Sequence, residues 1–130
     1  MRSITRQQWA IGFIFIALII YYLEGILINP FAIWNASPLL ISYLLVSKSI
    51  EQNSKPIFIG FVLFTFISLT LSLLGHFAWH FDWQQTKTGS STSAILFIFI
   101  PAYAIILGGV GYVLGLFIGK LKFINKPDIE

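Results

Sequence analysis

The chain has 130 residues, of which 57% are hydrophobic, 17% aromatic and only 10% charged, with a formal net charge of +3. A soluble domain this small needs far more polar surface to cover a core, and a mean hydropathy of +0.85 places the sequence in the membrane class. Cysteine is absent, which excludes disulfides, thiolate metal sites and cysteine nucleophiles. The basic residues stand singly at the ends of apolar stretches, a pattern that orients a membrane protein and argues against nucleic acid as a partner.

Arg2 and Arg6 precede the first apolar run. The run is too long for a signal peptide and lacks a small-x-small cleavage site, so a retained anchor is expected. The first span is placed at about 9–28, since roughly 20 helical residues cross a hydrocarbon core of about 30 Å. Asn29-Pro30 then breaks the helix, because proline lacks a donor and biases its predecessor away from helical angles. The second span follows at about 31–46 with almost no loop, short and containing Pro38, so the first two form a tight hairpin.

A polar connector, Ser47 to Pro56, carries Lys48, Glu51 and Lys55. The third span, about 57–81, is long enough to tilt. The second connector, Asp82 to Ser93, is the most polar segment, and its serines are expected to cap the helix that starts at Ala94. The fourth span is placed at about 94–119 and carries Pro101, where a kink is expected. Lys and Arg divide seven to one between the two sides that four spans define, which places both termini in the cytoplasm. The expected fold is all-α: one domain, an integral membrane bundle of four transmembrane helices, multi-pass in the inner (plasma) membrane. The runs lack the alternation of a barrel, and the two hairpins are too unlike for an inverted repeat.

Two helix faces stand out. On the fourth span Ala104, Gly108, Gly111, Gly115 and Gly119 recur at threes and fours. Such a row suits close packing against the third or first span, or a homodimer seam. On the third span Thr65, Ser68, Ser72, Gly75, His76, Trp79 and His80 follow the same spacing, so the two spans are expected to pack face to face with both histidines inward.

The chemically richest stretch is Gly75 to Trp83. His76 and His80 are four apart and share a face, a spacing at which two histidines can hold one metal ion. Asp82 is rotated from His80 by about 200° and is a poorer third ligand unless the helix ends first. Glu24 is the one carboxylate inside a predicted span, at a depth similar to the histidines. Asn35, near the outer end of the second span, is expected either to join them or to bond between helices, and it shares a face with Ser42. Three readings of this cluster stand open: a hydrogen-bonded lock for the bundle, a divalent-metal site, or a proton-relay or ion-coupling site. HxxxH without an adjoining Glu is a weak metal signal, so no metal is assigned. Tyr21, Tyr22, Trp79 and Trp83 are expected in an outer aromatic belt and Trp9 in the inner one. The Asn35-Ala36-Ser37 sequon lies inside a span and is discounted.

The stretch from Ser90 to Ala104, with Ser/Thr, Pro101 and then the glycine row from Gly108 to Gly119, resembles the last helix of small uncharacterised bacterial inner-membrane proteins. The resemblance implies a location and no site residues. In size and shape the chain is similar to membrane immunity proteins against pore-forming toxins, an analogy of architecture alone. With no nucleophile and base pair and no nucleotide fingerprint, an enzyme is not expected, nor a cofactor. The expected function is non-enzymatic: a binding, accessory or immunity-type protein that meets a membrane-protein partner or a second copy in the lipid bilayer. The alternative is a small ion, proton or divalent-metal transporter or channel that uses Glu24, His76 and His80.

Overall fold

The computed structural model describes residues 4–25 and 28–124, with side chains described as far as 122. The predicted end of the first span at Leu27 and Ile28 therefore lies partly outside the described residues. Among the described residues the chain is all-helical. Three helices are long and apolar enough to cross a membrane: Arg6–Glu24, Lys55–His80 and Ser93–Lys122.

α1 spans Arg6–Glu24. It starts where Thr5 and Gln8 satisfy each other's backbone donors in a capping box. It stops four residues short of the expected end, at Gly25, whose φ of 67° is left-handed and closes the C-terminus through a bond to the Tyr22 carbonyl. Hydropathy reports side chains, whereas this helix end is set by the backbone of one glycine.

The second apolar segment is two helices, α2 at Ala32–Asn35 and α3 at Ser37–Glu51. Ala36 between them keeps near-helical angles, φ −82° and ψ −8°. Pro38 falls in the first turn of α3, where its missing N–H has no partner to lose. The expected connector from Ser47 is thus mostly helix. Ser47 to Glu51 are polar but not helix-breaking, and only Gln52, Asn53 and Ser54 link α3 to the next helix.

α4 spans Lys55–His80, capped by Ser54 and with Pro56 in its first turn. Its buried residues Gly60, Phe61, Phe64, Ser68, Ser72, His76 and Trp79 form one stripe at threes and fours. The link to the last helix contains two short 3₁₀ turns. The expected serine cap does not form. The Ser90 hydroxyl accepts from the Thr92 amide and the Ser93 hydroxyl donates to the Ser90 carbonyl, so these residues close a turn upstream of the helix. α5 spans Leu96–Ile124 and carries Pro101 in its interior.

The α5 small-residue row is buried against α4. A Cβ on Gly115 would stand 2.5 Å from the Gly60 Cα, and one on Gly119 would stand 2.5 Å from the Pro56 Cα. Backbone meets backbone there, so only glycine fits. At Gly108 the neighbours are the ring and carbonyl of Phe64, and at Gly111 they are Ile67 and the Leu63 carbonyl. On the other side of α4, Phe13 of α1, Leu39 and Val46 of α3 and Phe61 make a second core, with Trp9 edge-on to Phe61 at 5.1 Å. Neighbouring helices run antiparallel, which gathers Arg6, Lys48, Lys55, Lys120 and Lys122 at one end and Glu24, Asn35, His80, Asp82 and Lys87 at the other. An Arg6–Glu51 ion pair of 3.0 Å ties α1 to α3 at the basic end.

Candidate functional site

Glu24 is the last residue of α1 and is 2% exposed. A carboxylate here must find donors inside the protein, because ionised groups are held only where paired or hydrogen-bonded. Three side chains supply nitrogen. Asn35 of α2 donates from Nδ2 to Oε1 at 2.6 Å. Asn29, from the turn between α1 and α2, donates to Oε2. His76 of α4 places Nε2 3.4 Å from Oε1, within ion-pair range and outside good hydrogen-bond geometry. His76 is fully buried and Asn35 nearly so.

The backbone of the same helix end is tied as well. The last carbonyls of a helix lack intrahelical partners. Trp79 Nε1 donates to the Glu24 carbonyl at 3.2 Å, and His80 Nδ1 lies 3.1 Å from the Leu23 carbonyl. A carbonyl only accepts, so His80 donates from Nδ1. α4 thus caps the C-terminus of α1 with two rings from consecutive positions, while His76, one turn back, meets the Glu24 side chain.

His76 is oriented from its own helix. Nδ1 lies 2.6 Å from the Ser72 carbonyl, so it carries a hydrogen and Nε2 is the atom presented to Glu24. On α5, Phe97 closes the pocket, its ring 5.8 Å from His76 and 4.6 Å from Trp79. Above Trp79 stands the Lys87 ammonium, 5.9 Å from the ring centroid.

Of the residues singled out in the sequence, Glu24, Asn35 and His76 meet side chain to side chain. His80 does not point inward: its ring is exposed, lies on the α1 C-terminus and packs 5.9 Å from Tyr22. His80 is the last residue of α4, and the neighbour it meets there is the C-terminus of α1, not the bundle interior. Asp82 also stands apart. α4 ends before it, its φ is 50°, and its carboxylate accepts from the Lys87 and Thr88 amides and the Thr88 hydroxyl. Those bonds, the Thr88 hydroxyl above all, hold its carboxyl below the usual carboxylate range. Among the described residues no three His, Asp or Glu side chains converge as a metal ligand set.

Trp79 is not part of an exposed belt with Tyr22 and Trp83; it is a buried donor. Asn29 is a further member. Its Oδ1 accepts from the Phe31 amide at 2.8 Å while its amide group holds Glu24, so one side chain shapes the turn and serves the site. As the residue before Pro30 it read as a helix breaker, and nothing in its spacing pointed to Glu24. Ser42, which shares a face with Asn35, donates to the Pro38 carbonyl of its own helix at 2.9 Å. Asn35 Oδ1 and Ser72 Oγ are buried without a hydrogen-bond partner among the described residues. No family model, curated protein or solved structure matches the chain.

Proposed function

We propose that the protein is a non-enzymatic, four-span protein of the inner membrane, with both termini cytoplasmic, that acts through helix–helix contacts in the bilayer as an accessory or immunity-type protein. α2 and α3 together supply the fourth crossing: from Ala32 to Glu51 they form a nearly continuous helical run, and 20 residues at about 1.5 Å each reach roughly 30 Å. The basic end of the bundle is the cytoplasmic end by the positive-inside rule.

The observation that carries this reading is how the polar groups are distributed. Glu24, Asn35, Ser68, Ser72 and His76 are turned into the bundle, and the exposed Thr70 hydroxyl is spent on the Phe66 carbonyl. The sides offer the bilayer apolar surface such as Ile11, Phe15, Leu18, Phe66 and Phe117. A surface of that kind recognises lipid or another apolar helix. The cysteine-free sequence makes the test clean. Single cysteines at Ile11, Ile14, Phe15 and Leu18 of α1, and at Ile106, Val110, Val113 and Phe117 of α5, are crosslinked in native membranes. The reading expects a discrete adduct confined to one face. Uniform absence of adducts at native expression contradicts it. Cysteines at Ser54 and Gly89 should label from opposite sides of the membrane with an impermeant reagent.

One observation favours a second reading, a small proton-coupled carrier: Glu24 and His76 form a buried acid–imidazole pair where two helices meet. Proton flux into proteoliposomes, lost in Glu24→Gln, supports it; flux unchanged by that substitution rules it out.

A further inference from the structure

Whether or not the pair carries protons across the membrane, we infer that Glu24 and His76 together bind a single proton between Oε1 and Nε2, and that this proton latches the α1–α2 turn to α4. The Ser72 carbonyl fixes one hydrogen on His76 Nδ1. Without a further proton, the Nε2 lone pair faces a carboxylate oxygen at 3.4 Å, two acceptors in contact in a buried site of net charge −1. With one proton the contact becomes attractive and the pair is neutral overall, whichever atom carries it. With two, the pair bears a buried positive charge, and Glu24 has fewer lone pairs for Asn29 and Asn35. The one-proton state is the only one in which every contact is donor to acceptor and the net charge is zero.

On α1, Tyr21 and Tyr22 precede Glu24 by three and two residues; Tyr22 packs on His80. On α4, His80 is engaged with the Leu23 carbonyl. α2 contributes the neutral Asn35 and Trp34, and α5 contributes Phe97 and Ile100. In the connector, Asp82 is closed on Thr88, and Lys87 stands over Trp79. The charged residues of α3, Lys48 and Glu51, are at the opposite end.

The site joins three elements, so its occupancy is read as stability of the latch. Thermal unfolding of the full chain in mild detergent is compared between about pH 6 and pH 9, a range in which free carboxylates, tyrosine and lysine change little and imidazole loses its proton. The wild type should melt lower at the alkaline end, as the bound proton leaves. Neither Glu24→Gln nor His76→Gln should show this fall toward alkaline pH, because an amide N–H replaces the proton in each. His80→Gln should keep the wild-type slope. A flat wild type, or a Glu24→Gln variant that retains the slope, overturns the inference. If the Glu24 and His76 variants do not fold, nitrogen-15 spectra of His80→Gln, which leaves one imidazole, decide it. Nε2 should be the nitrogen that changes across the range, with Nδ1 protonated throughout; a change at Nδ1 refutes the site. A pair that titrates this way in a protein without proton flux keeps the inference and removes the carrier.

Discussion

Replacing Gly115 by alanine tests the α4–α5 seam against an internal control. The new Cβ would sit 2.5 Å from the Gly60 Cα, 2.7 Å from its nitrogen and 2.9 Å from the Ile59 carbonyl carbon. All three are backbone atoms, so no side chain can swing aside. Carbon atoms rest at about 3.5 Å, so the helices must part locally by about 1 Å, and a gap of that size forfeits a quarter to a half of the dispersion energy of each facing atom pair. Overpacking of this kind costs about 1–3 kcal/mol. Alanine also gains about 1 kcal/mol over glycine as a helix former, which leaves a net loss of about 0–2 kcal/mol. Gly109, on the same helix, has nothing within 4 Å of its would-be Cβ. Gly109→Ala therefore keeps the propensity gain alone and should stabilise by up to about 1 kcal/mol. Chemical or thermal unfolding in detergent, followed by helical circular dichroism, reads both variants. The sign is the informative quantity. If the two substitutions shift stability equally and in the same direction, the seam does not require glycine and the close α4–α5 contact is wrong.

Trp79→Phe keeps the ring against Phe97 and removes the bond to the Glu24 carbonyl; it should cost about 1–2 kcal/mol in the same unfolding assay. Thr5→Ala removes the capping box of α1 and should cost about 1 kcal/mol, seen as faster hydrogen exchange in the first turn. Arg6→Ala should change stability by less than about 1 kcal/mol, because both partners of its ion pair are well exposed. The Asp82 loop should respond to acid with a defined sign. Its carboxyl is held below the usual range by Thr88 and Lys87, so its contribution is present above the ordinary carboxylate value and is lost as pH falls through the lowered one. Exchange of the Lys87 and Thr88 amides should accordingly quicken only in that acid range, and Asp82→Ala should remove the acid step.

What the sequence disclosed about this fold follows from what kind of interaction decides each feature. The buried positions Ser68, Ser72, His76 and Trp79 and the α5 row from Ala104 to Gly119 were legible because a helix in contact with another repeats small or polar residues at threes and fours, whereas the buried Phe61 and Phe64 look like any lipid-facing side chain. The ends of α4 fell within two residues of the expected 57–81, but those of α3 and α5 did not, because hydropathy changes at Val46 and at Lys120 while helical backbone continues through the polar residues to Glu51 and beyond Lys120. Membrane location is a property of side chains, and helix termination is a property of caps and of left-handed residues such as Gly25. The same distinction governs the candidate site. Periodicity put His76 inside, but it could not announce that Asn29, in a turn, would bring its amide to Glu24.

That turn explains why a carboxylate can sit at the end of α1 at all. A C-terminal carboxylate faces the negative end of the helix dipole, an unfavourable position worth about 0.3–1 kcal/mol near a surface. The terminal carbonyls that carry this partial charge are taken up here by the Trp79 and His80 rings, and the carboxylate is surrounded by the nitrogens of Asn29, Asn35 and His76. These groups come from the hairpin turn, α2 and α4, and three of them have another constraint on their position: Asn29 bonds the Phe31 amide, His76 the Ser72 carbonyl, and Trp79 packs on Phe97. Glu24 is therefore the residue through which α1, the hairpin turn, α2 and α4 are held in register. Glu24→Leu should loosen the Asn29, Asn35 and His76 contacts together and leave the Trp79 and His80 bonds to the backbone carbonyls in place, whereas substitution of a single donor should loosen only its own.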